Sequence, residues 1–221
     1  MTDQQAELEW RDSGVPVSLR FDDPYYSLDD GVAETRHVFL SGNDLPDRFH
    51  NGFHVAELGF GTGLNFLVTL AAWRDAGVAG RLQFTSFEAF PLPFADLEKA
   101  LGHFDDLPVD VFEENDGRLA SSITGPDFDL RIIEGDARET SPNWDGAADA
   151  WYLDGFSPAK NPELWGDELM AAVGNHTAHG GTFATYTAAG FVRRALETAG
   201  FEIERTTGFG RKRHMTRGVK T

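Results

Sequence analysis

Short apolar runs alternate with stretches of helical spacing from Phe53 to Gly200, and this alternation predicts a parallel sheet joined by crossover helices. FHVAEL (53–58), LQFTSFE (82–88), DLRIIEG (129–135), ADAWYLDG (148–155) and GTFATYT (181–187) read as buried strands. Helices are expected over 64–77, ended by Gly77, over 91–103 with prolines confined to the first turn, around 162–179 and over 190–200. The last two runs, FEIERTTG (201–208) and RKRHMTRG (211–218), are separated only by Phe209-Gly210. That gap is too short for a crossover, so an antiparallel hairpin is expected to close a mostly parallel sheet. Residues 1–52 depart from the pattern. ELEWRDSGVPVSLRFDDPYYS is interrupted by Gly14, Pro16 and Pro24 and reads as a small hairpin and loop, an extension laid against a main α/β domain over 53–221.

The chain has 221 residues, 41% of them hydrophobic, enough to bury one large core. Its net charge of -17 sets up a field that repels nucleic acid and anionic membrane, so a polyanionic partner must be met locally. Arg205 to Thr221 is the exception, with six Lys/Arg and no acid. Such a tail either protects a sheet edge from aggregation or meets a polyanion. The absence of cysteine excludes disulfides and thiolate chemistry and fits a reducing cytoplasm. The polar start lacks the apolar core of a targeting segment, and no apolar run approaches the ~18 residues of a membrane span. A cytoplasmic protein with no membrane partner is expected.

The most specific local motif is Glu57-Leu-Gly-Phe-Gly-Thr-Gly-Leu-Asn65, which joins the first strand to the first helix. Glycines there let a ligand approach the backbone, and the helix start offers unpaired N–H groups. The spacing is G-x-G-x-G, and Glu57 precedes it. That carboxylate would repel a pyrophosphate, which disfavours a nicotinamide dinucleotide, but it suits the cationic amino group of S-adenosylmethionine. Glu88 ends the second strand, where a carboxylate accepts both ribose hydroxyls, and Asp136, beside Ala137, follows the third, toward the adenine amino group. Gly59, Phe60, Gly61, Gly63, Asn65 and Phe66 complete the expected cofactor cradle. Singly, each acid reads as a solvated strand end; three at successive strand ends read as a site. The fourth strand runs into Asp154-Gly-Phe156-Ser-Pro158, so Asp154 should face the same crevice beside an aromatic and a proline that form a rigid wall. Without that position the segment would read as an ordinary turn.

FDDPYYS (21–27), GVAETRHVFLSGNDLPDRF (31–49), AELGFGTGLNF (56–66), FEAFPL (87–92), DAWYLDGFSPAKNPELW (149–165), GGTFATYTAAGFVRRALETAGF (180–201) and GFGRKRHM (208–215) resemble the methyltransferase domain of the bifunctional tRNA-modifying MnmC family. The resemblance covers nearly the whole chain and is weakest over 104–128. It implies a class I, Rossmann-like, S-adenosylmethionine-dependent methyltransferase fold, with no metal. The implied reaction is N-methylation of 5-aminomethyl-(2-thio)uridine at the tRNA wobble position to the 5-methylaminomethyl form. The family's FAD-dependent oxidoreductase half has no counterpart here, which implies a stand-alone methyltransferase without FAD, supplied with its aminomethyl substrate by other enzymes. Ala89 departs from the lysine of the family pattern.

Methyl transfer to an amine requires an exposed lone pair and in-line positioning. Asp154, with Phe156 and Pro158, is expected to aim the amine and accept its proton; Asp154 holding the cofactor's own amino group is the alternative. A tRNA substrate gives the basic tail a use: Arg211, Lys212 and Arg213, with Arg193 and Arg194, form the expected phosphate-docking patch. Tyr25, Tyr26 and Phe39 are candidates to stack an everted uridine, against the alternative that they are core. The rival reading is a small-molecule amine methyltransferase or aminopropyltransferase of the same fold, which the overall acidity suits.

Overall fold

The computed structural model of the protein describes residues 6–11, 14–27 and 30–221; residues 1–5, part of the start read as lacking a targeting segment, lie outside them. Three short antiparallel strands come first, β1 (Leu8–Trp10), β2 (Pro16–Ser18) and β3 (Asp23–Pro24). Helix α1 (Gly31–Thr35) starts where the Asp30 side chain accepts the Ala33 N–H, and the chain stays helical through Arg36–Leu40 and Ser41–Asn43. No element was expected over 31–43, and the chain is helical there. Val38, Phe39 and Leu40 are buried in the main core, and that burial rather than local propensity supports these turns.

The alternation then proceeds as the pattern predicts. Strand β4 (His54–Leu58) leads to α2 (Leu64–Asp75), β5 (Leu82–Glu88) and α3 (Phe94–Leu101). A hairpin of β6 (Glu114–Asn115) and β7 (Arg118–Leu119) and the edge strand β8 (Ser122–Thr124) follow, none of them signalled by apolar alternation because each is short and largely polar. Next come β9 (Phe128–Glu134), α4 (Ala137–Thr140), β10 (Ala148–Leu153), α5 (Asp167–Asn175), β11 (Thr177–Thr185), α6 (Gly190–Thr198), β12 (Phe201–Thr207) and β13 (His214–Lys220). The helix expected over 162–179 is shorter, beginning as a tight turn at Pro162–Trp165 and giving way to β11 at Thr177.

The main sheet has the order β12-β13-β11-β10-β4-β5-β9-β8, with β4, β5, β9, β10 and β11 parallel and β8 and β13 antiparallel to their neighbours. Side chains alternate between its faces. Val55, Phe84 and Tyr152 join Phe66 and Leu70 of α2 in one core, while Ala56, Trp151 and Phe183 join Leu169, Val173, Val192 and Leu196 of α5 and α6 in the other. The closing hairpin differs from expectation: its strands pair from Phe201↔Lys220 to Thr207↔His214, leaving a six-residue loop, 208–213, instead of Phe209-Gly210 alone. Arg211, Lys212 and Arg213 are all exposed, whereas an alternating strand would have turned one inward; the ladder starts after them, next to buried Met215. Among the described residues no helix is long and apolar enough to cross a membrane.

Phe66, expected at the cofactor, lies instead in the core at 0% exposure, with ring centroids 5.3 Å from Phe84, 5.8 Å from Phe112 and 5.4 Å from Phe128. It faces away from the crevice because it is one residue beyond Asn65, about 100° further round α2. Phe66→Ala should lower unfolding stability by about 3–5 kcal/mol in chemical denaturation, while Phe66→Leu should leave affinity for the expected cofactor unchanged. A large loss of cofactor binding in a stably folded Phe66→Leu protein would return this residue to the site.

Candidate functional site

At the carboxyl ends of β4, β5, β9 and β10 lies a cavity of about 1220 Å³. The turn after β4 forms its floor. Gly59 has φ 89°, and a Cβ there would lie 2.5 Å from the Asp154 carbonyl oxygen. Only glycine lets the ends of β4 and β10 come this close. Gly63 (φ 78°) caps the start of α2, and a Cβ on it would strike Phe60 and Phe112.

The strand-end carboxyl groups occupy different depths. Glu57 is fully buried and does not line the cavity: its two oxygens accept from Asn65 Nδ2 (2.9 Å) and from Ser86 Oγ (2.8 Å), the residue paired with it across β4 and β5. Burial pushes its pKa well above the usual carboxylate range, against the pull of Asn65 and Ser86 and with a further push from Asp154 and Glu88. Asn65 does face the cavity. Its amide nitrogen also donates to Asp154 Oδ2 (2.6 Å), and its amide oxygen accepts from Thr35 Oγ1 (2.7 Å). One amide therefore stands between two carboxyl groups, and the hydroxyl of α1 fixes which way it points. Burial raises the Asp154 pKa to about 7, opposed by Asn65 and the Lys212 charge and assisted by Glu34 and Asp23.

Glu88 and Asp136, with Ala137, line the same cavity. The Glu88 oxygens accept the Gly61 (2.9 Å) and Phe90 (2.8 Å) N–H groups, so the carboxylate is anchored to the glycine turn and keeps lone pairs for two hydroxyls. Burial raises its pKa, and these backbone donors pull it down. Asp136 caps α4 through the Arg138 N–H and pairs with the Arg138 guanidinium, which holds its pKa below the usual range. These groups fit an adenosine: a glycine floor, a carboxylate for the ribose and a capped acid further out.

Residues 20–27 form the roof. Phe21 stacks on Phe156 (4.7 Å, 25°), Tyr25 meets the same ring edge-on (5.2 Å), and Arg20 lies over Phe90 (4.5 Å). Asp23 accepts the Ser157 N–H (2.8 Å), and Lys160 pairs with Asp22 and Asp23. Tyr186 Oη donates to the Gly155 carbonyl (2.6 Å) and Trp165 Nε1 to the Phe156 carbonyl (2.9 Å), so the loop after β10 is pinned at three successive residues. Tyr26 lines the cavity but spends its hydroxyl on the Ala100 carbonyl (3.0 Å); Phe39 is 3% exposed and stacked on Tyr152, with one edge at the cavity.

Of the residues expected at the site, the cavity is lined by Gly59, Phe60, Gly61, Asn65, Glu88, Asp136, Ala137, Asp154, Phe156, Tyr25, Tyr26, Phe39, Arg211 and Lys212. It is not lined by Glu57, Gly63, Phe66, Pro158, Arg193, Arg194 or Arg213. Lys212 is also less available than a docking residue should be, since it pairs with Glu34 (2.8 Å) and lies 3.9 Å above the Tyr186 ring. Sequence reading missed Glu34, Thr35, Asp23, Lys160 and Tyr186. Tyr186 was within reach: it follows β11, and the strand-end rule applied to a fifth strand selects it. Thr35 carried no signal, because its partner is 30 residues away.

A family model described as S-adenosyl-L-methionine-dependent methyltransferase matches residues 99–221. The chain is 42% identical, over 97% of its length, to the tRNA 5-methylaminomethyl-2-thiouridine biosynthesis bifunctional protein MnmC of Stutzerimonas stutzeri, and 47% identical, over 94%, to the protein of that name from Caulobacter vibrioides. It spans 34% and 37% of the length of those two relatives. Its fold is similar to the crystal structure of MNMC2 from Aquifex aeolicus, with a TM-score of 0.73 and 25% identity over 98% of this chain and 71% of that one. The strand order and the cleft at the strand ends are those of the class I fold, and the matched region carries Asp136, Asp154 and the closing hairpin. The chain belongs to the S-adenosyl-L-methionine-dependent methyltransferase family.

Proposed function

We propose that the protein transfers a methyl group to the primary amine of 5-aminomethyl-(2-thio)uridine at the tRNA wobble position, giving the 5-methylaminomethyl nucleoside. The observation that carries this reading is Asp154: a carboxyl group on the cavity wall, held by Asn65, with a pKa near neutrality. The names of these relatives, which refer to tRNA 5-methylaminomethyl-2-thiouridine biosynthesis, support the choice of substrate. The basic loop 208–213, whose Arg211 and Lys212 line the cavity, favours tRNA over a small amine. In this reading residues 1–52 act as an extension that roofs the site, and the enzyme works in the cytoplasm.

S-adenosylmethionine, when bound, supplies an electrophilic methyl group on sulfur. The chain's own residues do the rest. Gly59 and Gly61 admit the cofactor to the backbone, Glu88 takes the ribose hydroxyls, and Asp136 with Ala137 bounds the adenine. Phe60 and Phe156 exclude water from the reacting end, while Gly63 and Pro158 shape the turns behind it. Glu57 acts through Asn65 rather than by contact. A substrate amine with a lysine-like pKa of ~10.4 arrives as an ammonium and must lose a proton before it can attack. Asp154, near pH 7, accepts that proton at roughly 4 kcal/mol less cost than a carboxylate of ordinary pKa would. Once neutral, the amine could take the methyl group that bound cofactor would supply; the C–S bond that breaks would leave its electron pair on a thioether sulfur, and the product would depart as a secondary ammonium.

Asp154→Ala should lower single-turnover methylation of aminomethyl-bearing tRNA by at least about a hundredfold at saturating cofactor, or ~2.7 kcal/mol of barrier. A rate within threefold of wild type would remove Asp154 from the chemistry. In the wild type the rate should rise with pH through about 7, as Asp154 ionises. Stability runs the other way. A carboxyl group whose folded pKa is raised favours the folded state most below its unfolded pKa, and this contribution is lost as pH rises toward 7. Thermal unfolding should accordingly show Asp154→Asn gaining on wild type between pH 5 and pH 8; parallel curves would contradict the raised pKa. Serine at both Arg211 and Arg213 should raise the KM for tRNA, leave cofactor affinity unchanged and flatten the slope of log affinity against log salt by about 0.7–0.9 per contact. An unchanged slope would restrict the tail to protecting the sheet edge.

A further inference from the structure

Of the three cations of the basic loop, all exposed, Lys212 is the one in an ion pair among the described residues. Its ammonium sits 2.8 Å from Glu34 Oε1 and 3.9 Å from the centre of the Tyr186 ring, and all three residues line the cavity. Tyr186 in turn donates its hydroxyl to the carbonyl of Gly155, the residue after Asp154. A carboxylate at hydrogen-bond distance and an aromatic face below make a built receptor for a cation. What occupies it is a primary alkylammonium. The group that the proposed reaction must bring to Asp154 is also a primary alkylammonium, the protonated aminomethyl substituent of the uridine.

We infer that Glu34 and the Tyr186 face form an ammonium-recognition subsite beside Asp154, that Lys212 occupies it in the resting protein, and that the substrate's aminomethyl cation displaces Lys212 from it. This rests on the amine-methylating reading above and adds to it a recognition site for the charged form of the substrate. The exchange is neutral in charge, one ammonium for another, so the half-buried Glu34 carboxylate is never left unpaired. The displaced Lys212 swings out beside Arg211 and Arg213, where its charge adds to phosphate contacts. Docking of the tRNA and opening of the subsite then favour each other. The site also explains selectivity: a 5-methyluridine presents no cation, cannot replace Lys212 and leaves the subsite closed. The field at Asp154 is consistent with this placement, since Glu34 and Lys212 both act on that carboxyl group.

The test is equilibrium binding of 5-aminomethyluridine, a free nucleoside without phosphates, to the cofactor-product-loaded protein, with 5-methyluridine as the neutral comparator. Lys212→Met keeps the alkyl chain and removes the competing ammonium, so it should bind 5-aminomethyluridine about tenfold more tightly than wild type, because the occupied fraction no longer has to be displaced. Glu34→Gln should erase the preference for 5-aminomethyluridine over 5-methyluridine, with cofactor affinity unchanged as the control for folding. If Lys212→Met binds the nucleoside no better than wild type, or Glu34→Gln keeps the preference, the inference is overturned. Methylation of aminomethyl-bearing tRNA by the wild type is read separately. Failure there with the predicted binding changes intact would sink the reaction and leave the ammonium subsite standing; methylation without those changes would sink the subsite alone.

Discussion

Two carboxyl groups end neighbouring parallel strands in this protein, and a single amide holds them together. Asn65 Nδ2 lies 2.9 Å from Glu57 Oε1 and 2.6 Å from Asp154 Oδ2, in a region where both acids would repel each other if ionised and unpartnered. The rest of the site follows from accommodating that arrangement. The turn must be glycine-rich so that β4 and β10 approach closely enough for one side chain to reach both. Thr35 must present its hydroxyl so that the amide oxygen, and not the nitrogen, points away from the acids. Tyr152 and Thr69 share a hydrogen bond of 3.1 Å and Thr69 returns one to the Asn65 carbonyl, which ties α2 to β10 directly beneath the amide. The near-neutral pKa of Asp154 comes from its burial, assisted by Glu34 and Asp23 and opposed by the Asn65 amide and the Lys212 charge.

The roof makes the same carboxyl group useful. By stacking Phe21 and Tyr25 against Phe156, and by fastening Asp23 to the Ser157 N–H, the N-terminal segment keeps bulk water from the Asp154 wall. A buried acid with nothing above it would be resolvated and return toward an ordinary pKa. The loop 208–213 brings the positive charges of Arg211 and Lys212 to the cavity of an acidic protein. Lys212 joins the two halves, its stem on the basic loop and its ammonium paired with Glu34 of the N-terminal segment.

Much of this was legible before any coordinates. Short continuous apolar runs and the glycine turn located five parallel strands and the crevice at their ends, because burial on both faces leaves a strong apolar signature. Asp154, Glu88 and Asp136 were legible as strand-end acids. Depth was not. Glu57 and Glu88 carry the same side chain at the ends of adjacent strands, yet Glu57 does not line the cavity while Glu88 does, and only the registers and the turn geometry separate them. Phe66 was misread for the same reason, since one residue of helix rotation divides cradle from core. Thr35 and Glu34 were illegible as site residues because their role is made by long-range packing of a five-residue helix that the apolar pattern does not signal.

The account depends on Asp154 being a carboxyl group that titrates near neutrality inside the folded protein. Carbon-13 NMR of protein labelled at the aspartate side-chain carboxyl carbon, titrated from pH 4 to pH 9 in wild type and in Asp154→Asn, tests it directly. The account predicts one resonance with a midpoint near 7 that is present in wild type and missing from the variant. A wild-type spectrum in which every aspartate has finished titrating by pH 5 would contradict it.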